Sequence, residues 1–138
     1  MTARPEVLER KLAALQRFLE DLAAFGPLSH EERVRQHYAI ERLLQLLCEA
    51  AADIGLQILR HETGEGAGSY REIFQRLRER AELPVQLAEG LMEACAMRNV
   101  LTHLYDTIDT DRVAAAVDPA LDLYRSYLAW VVARMRLS

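Results

Sequence analysis

Leu8, Leu12, Leu15, Leu19 and Leu22 recur at alternating steps of four and three. That rhythm puts them on one apolar stripe of a helix, and a strand cannot use it. The spacing predicts a first helix from Pro5 to about Phe25. The tripeptide FGP at 25–27 ends it, because glycine closes helices and proline cannot continue them. Ser29 and Glu32 have the spacing of a capping box, and they open a second helix. Its stripe runs through Ile40, Leu44, Leu47, Ala51, Ile54 and Ile58 to about His61. Roughly thirty residues at about 1.5 Å each predict a rod on the order of 45 Å long.

The rest of the chain follows the same grammar. TGEGAGS at 63–69 holds three of the six glycines and reads as a loop. Ser69 and Glu72 form a second capping box and start a short helix to about Ala81, with Tyr70, Phe74 and Leu77 apolar. Leu83 and Pro84 begin a further helix carrying Leu87, Leu91, Ala94, Cys95 and Leu101. Asp109 caps a segment that Pro119 interrupts or restarts. Leu121, Tyr124, Leu128, Val131 and Met135 close the chain at helical spacing. No stretch alternates as a strand would, and no internal repeat is visible. The expected fold is all-α, an up-and-down bundle of four long helices plus a short one, in a single domain spanning 1–138.

At 138 residues and 51% hydrophobic, such a chain can enclose a core of its own. A net charge of −4 argues against a broad cationic surface, so any nucleic-acid contact must be a local patch. Lys11 is the only lysine. The arginine bias suits bidentate phosphate contacts, and a compositional bias of the source genome explains it equally well. The first residues lack the apolar core of a secretory signal, and the uncharged apolar runs fall short of a membrane span. The expectation is a soluble, cytoplasmic protein with no membrane partner. Cys48 and Cys95 lack metal-site spacing, so they are expected to be reduced core residues, and neither metal nor cofactor is expected. His30, His37 and His61 are expected at the surface, without partners comparable to those of the segment described next.

One stretch departs from the leucine and alanine habit. ACAMRNVLTHLYD, at 94–106, places Arg98, Asn99, Thr102, His103 and Tyr105 within two turns. At about 100° per residue, Arg98 and Tyr105 lie nearly on one line, Asn99 and His103 lie on another, and Arg98 and His103 are about 140° apart. A single straight helix cannot aim both at one small target. Either the helix unwinds near Thr102, or a second copy of the chain supplies the same residues across a two-fold axis, as an isologous dimer does.

RNVLTHLY, Arg98 to Tyr105, resembles the R-N-x-x-x-H-x-Y motif of the HEPN superfamily, specifically its HepT toxin branch. The resemblance extends along the chain. AIERLLQLLCEAAADIGLQIL is similar to the family's long helix with its Asp-Ile-Gly, SYREIFQRL to the segment after the glycine loop, and YDTID to the exit from the motif helix. The resemblance implies a metal-independent endoribonuclease working on RNA at a homodimer interface. It also implies a partner, a minimal nucleotidyltransferase (MNT) antitoxin that transfers AMP to the motif tyrosine, here Tyr105.

The residues suit that chemistry on their own terms. Cutting RNA without a metal requires activating a 2′-hydroxyl, protonating the leaving oxygen and stabilising charge on the phosphate. His103 has an imidazole whose ordinary pKa suits proton transfer near neutrality, and two copies would supply base and acid. Arg98 would hold the phosphate as a bidentate cation. Asn99 would orient the imidazole or donate to the phosphate. An AMP attached at Tyr105 would bring its own phosphate to Arg98 and so occlude the site.

Blander readings stand beside these. An Arg, a His and a Tyr near a helix end also form ordinary satisfied polar clusters, with His favourable beside the last carbonyls. A non-catalytic helical module serving a nucleotidyltransferase by gripping its substrate is therefore the alternative. Tyr105 is otherwise an interface tyrosine capping such a cluster. Glu49, Asp53 and Gln57 share a line that usually marks a solvated face; Asp53, with Thr102, is the candidate for a supporting role beside Arg98 or His103. Arg71, Arg76, Arg78 and Arg80 form the densest basic region. RNA guidance is one reading, but Glu72 and Arg76 have the spacing of a helix-stabilising pair, and that structural reading is preferred.

Overall fold

The computed structural model describes residues 5–103 and 109–137, and the side chains of 6–97 and 109–136. Among these residues seven helices follow one another: α1 (Pro5–Ala23), α2 (His30–Arg35), α3 (His37–Thr63), α4 (Tyr70–Arg80), α5 (Val85–His103), α6 (Thr110–Ala115) and α7 (Val117–Leu137). Among the described residues there is no strand.

Each predicted stripe turns inward. Leu8, Leu15, Leu19 and Leu22 of α1 are buried, as are Ile40, Leu44, Leu47, Ala51, Ile54 and Ile58 of α3. Leu91 and Cys95 of α5 and Leu121, Tyr124 and Val131 of α7 join them in one core. Cross-helix pairs fix the directions. Lys11 meets Asp53, so the start of α1 lies beside the far part of α3 and the two run antiparallel. Cys48 meets Cys95 while Leu44 and Met97 share one cavity wall, so α5 is antiparallel to α3. Tyr127 reaches Ala51 and Arg134 reaches Glu62, so α7 is parallel to α3. The four long helices therefore run up and down in sequence, and α4 packs against α3 and α5.

The structure differs from the expectation in its breaks. The predicted rod from Ser29 onward divides at Gln36, whose N–H is shared between the carbonyls of Glu32 and Arg33. That one-residue interruption turns α2 away from the axis of α3 and against α6. The last segment divides at Ala116, and Pro119 falls in the first turn of α7, where its missing N–H costs nothing. The box at Ser29 forms with both hydrogen bonds. At Ser69 only half of it forms: the Ser69 hydroxyl accepts from Glu72 N–H, but the Glu72 carboxylate reaches back to Gly68 N–H. Gly64 closes α3 at φ 74°, a left-handed conformation that glycine adopts without strain.

Gly55 has a packing role. A Cβ there would meet Ile73 Cγ2 and Leu77 Cδ1 at 2.9 Å, so glycine is what lets α4 lie directly on α3.

Candidate functional site

Helix α5 carries the polar motif on its last turns. Its backbone stays helical through His103, so the chain does not unwind at Thr102. The side chains of Arg98, Asn99, Thr102 and His103 lie outside the described residues, as does the whole of Tyr105. What the structure gives is the frame around them. Because α5 is antiparallel to α3, its C-terminal end lies at the end of the bundle formed by the start of α3, α2 and α6.

Arg33 organises that end, although nothing in its sequence context distinguishes it. It is buried at 9% exposure. Its Nε donates to Phe25 O at 3.0 Å, and one terminal nitrogen donates to Gly26 O at 2.6 Å. Both terminal nitrogens reach the Asp118 carboxylate at 3.2 Å, and one of them also reaches Ala114 O at 3.4 Å. One guanidinium thus ties the α1–α2 turn to α6 and α7, using the planar fork that lysine lacks. Outside it, His30 Nε2 meets Asp111 Oδ1 at 2.8 Å. The Asp109 carboxylate accepts from Arg112 N–H at 3.1 Å. That cap fixes where α6 begins after the motif, as the sequence predicted.

Behind the motif, α5 is held by apolar contacts and two buried tyrosines. Cys48 and Cys95 are buried thiols with sulfurs 2.8 Å apart. Tyr127, which was not singled out in the sequence, is fully buried and donates its hydroxyl to Ala51 O at 2.9 Å. Burial raises the phenol pKa of both Tyr124 and Tyr127, because the phenolate would lose its water.

The remaining candidates divide clearly. Asp53 is exposed and pairs with Lys11 at 3.7 Å across the α1–α3 cleft; its suggested role beside Arg98 or His103 concerns side chains outside the described residues. The basic run of α4 is largely spoken for. Arg76 pairs with Glu72 at 2.5 Å, Arg80 with Glu65 at 3.4 Å and Arg78 with Glu79 at 4.0 Å, as the structural reading expected. The expectation for the other histidines needs correction. His37 is half-buried and meets Glu41 at 2.6 Å, and His30 has its aspartate, because helical spacing and the α2–α6 contact bring carboxylates to them. His61 is half-buried. Among the described residues no group of three or more His, Cys, Asp or Glu could hold a metal ion, and no helix is long and apolar enough to cross a membrane.

Comparison with known proteins gives consistent answers. A family model described as "HepT-like: Ribonuclease HepT-like" matches residues 7–130. A curated protein named tRNA nuclease HepT, from Aphanizomenon flos-aquae (strain 2012/KM1/D3), is 33% identical over 128 residues, covering 90% of this chain and 86% of that protein. A solved structure of the tri-AMPylated Shewanella oneidensis HEPN toxin in complex with MNT antitoxin superposes with a TM-score of 0.80, covering 93% of this chain and 97% of that one at 22% identity. That likeness establishes a shared all-helical architecture. By the extent of the family match and of the curated relative, the chain belongs to the ribonuclease HepT-like family.

Proposed function

We propose that this protein is the toxin component of a toxin–antitoxin pair, a metal-independent endoribonuclease that cuts RNA at a site shared between two copies of the chain. The observation that carries the reading is the position of the R-N-x-x-x-H motif: it occupies the last turns of α5 within the span matched to the ribonuclease family. The curated relative's designation as a tRNA nuclease supports RNA, and tRNA in particular, as substrate.

The helical backbone at 98–103 supports the shared site. With Arg98 and His103 about 140° apart on a straight helix and no unwinding at Thr102, one chain cannot converge both on a single phosphate. Two chains related by a two-fold axis can. In that arrangement one His103 takes the proton from the 2′-hydroxyl, which attacks the adjacent phosphorus and forms a 2′,3′-cyclic phosphate. The other His103 protonates the departing 5′-oxygen. Arg98 balances the charge gathering on the phosphate oxygens, and Asn99 orients an imidazole or donates to the phosphate. Asp53 and Thr102 are the candidate supporting residues.

The MNT antitoxin in the neighbouring complex supports a partner of the same kind here. Such a partner would transfer AMP to Tyr105 and silence the site by placing a phosphodiester and a base where RNA must enter. The protein acts in the cytoplasm in this reading.

Expression tests the reading. Growth arrest by the wild type, absent with Arg98→Ala and with His103→Ala, is expected. Equal, harmless behaviour of all three would instead identify a non-catalytic module that serves the nucleotidyltransferase. Intact mass after co-expression with the partner should show added AMP that disappears in Tyr105→Phe; additions that persist there would place the modification elsewhere.

A further inference from the structure

A cavity of about 360 Å³ opens between α5 and the α6–α7 pair. Its walls are apolar, built from Leu44, Ala94, Met97 and Leu123, and among the described residues Glu93 and Arg112 bring charge to it. Both charged residues are exposed, and among the described residues neither side chain enters an ion pair. Its position is informative. Met97 forms part of one wall and the chain runs from it directly into Arg98. After the motif the chain is capped by Asp109 and returns through the opposite wall at Arg112. The motif segment thus begins beside one wall of the cavity and ends before another.

We infer that this cavity is a nucleotide subsite, taking the base of a residue adjoining the scissile phosphate, with preference for a base bearing an exocyclic amine. The volume lies at the small end of small-molecule sites, roughly 300–1,000 Å³, a size suited to one nucleotide. The apolar walls suit the faces of a heteroaromatic ring, and the Met97 thioether is a favourable neighbour for one. Arg112 is the fork for a flanking phosphate. Glu93 accepts from an amine such as cytosine N4, whereas uracil offers it only the single N3–H, flanked by two carbonyl oxygens that a carboxylate repels. The inference rests on the ribonuclease reading for the source of the nucleotide, a strand of RNA, and stands apart from it for the existence of the site.

Two measurements on the full chain test it. The first is titration of the unmodified protein with AMP, CMP, GMP and UMP, followed by amide chemical shifts. Binding is expected with UMP weakest, and with losses of about tenfold or more in Ala94→Trp, which fills the cavity, and in Arg112→Gln, which leaves the fold's buried contacts untouched. Absence of binding at millimolar nucleotide, or binding indifferent to both substitutions, overturns the subsite. The second is cleavage kinetics on an RNA oligonucleotide. A rise in KM larger than the fall in kcat in the same variants assigns the cavity to the RNA strand; nucleotide binding lost with RNA kinetics unchanged overturns that assignment. His103→Ala keeps mononucleotide binding while losing cleavage, so failure of the catalytic reading and failure of the subsite give different results.

Discussion

Around Gly55 the helices α3, α4 and α7 approach so closely that a single added methyl would strike Ile73 and Leu77, and the Tyr127 hydroxyl lies 3.2 Å from the same point. At the opposite end α2, α6 and the start of α7 are joined through one guanidinium that serves three carbonyls and a carboxylate. The first region is dry and gains its stability from apolar area removed from water. The second is polar, and its helices α2 and α6, six residues each, are too short to stand alone. The motif belongs to the second region. The phosphate site proposed for the motif needs charged groups near water, and the elements framing it are held by a few directed bonds rather than by bulk packing.

Replacing the clamp should have the largest effect on stability. Arg33→Met removes the donors from Phe25, Gly26 and Ala114 carbonyls together, with an expected cost of about 3 kcal/mol in urea unfolding. Hydrogen exchange should show the loss concentrated in α2 and α6. A uniform loss across all helices would erase the distinction between the two ends. Gly55→Ala should cost about 1–3 kcal/mol by overpacking, and here protection should fall in α3, α4 and α7 together. Tyr127→Phe should cost about 1 kcal/mol and carry a pH signature. Burial raises the Tyr127 pKa above its ordinary 10.0, so its contribution is fully present below about pH 10. It declines as the pH rises beyond that, because the unfolded chain releases the proton first. The wild type should lose urea resistance on going from about pH 9 to 11, and the variant should lose less. The smallest effect is expected at His30→Ala, whose exposed pair with Asp111 contributes about 0.2–1 kcal/mol and weakens in salt.

The same comparison explains what could be read from the sequence. The leucine stripe of α1, the Ile40–Ile58 stripe of α3 and the cap at Asp109 were legible because periodicity and capping are local properties of the chain. Tyr127 was within reach, since it lies three residues after Tyr124 and four before Val131 on the same buried face. Arg33 was not, because EERVRQ looks like any solvated helix and its partners come from residues 25–26 and 114–118, far away in the chain. The break at Gln36 was hidden for the same reason: its function is to turn α2 onto α6. Gly55 had a sequence signal in the Asp-Ile-Gly resemblance, but its packing role required knowing what lies across from it. Of the candidate site, the residue types and a helical backbone as far as His103 were legible from RNVLTHLY. The framing by α2 and α6 and the cavity beside Met97 arise from tertiary contacts that no local pattern encodes.

Cleavage of tRNA by the purified protein with a chelator present tests the proposed metal-independent ribonuclease most directly. Cleavage is expected to survive EDTA, to leave 2′,3′-cyclic phosphate ends and to fall at least about a hundredfold in His103→Ala, the scale of lost general acid–base catalysis. Cleavage that requires an added divalent metal, or that His103→Ala retains at the wild-type rate, would contradict it.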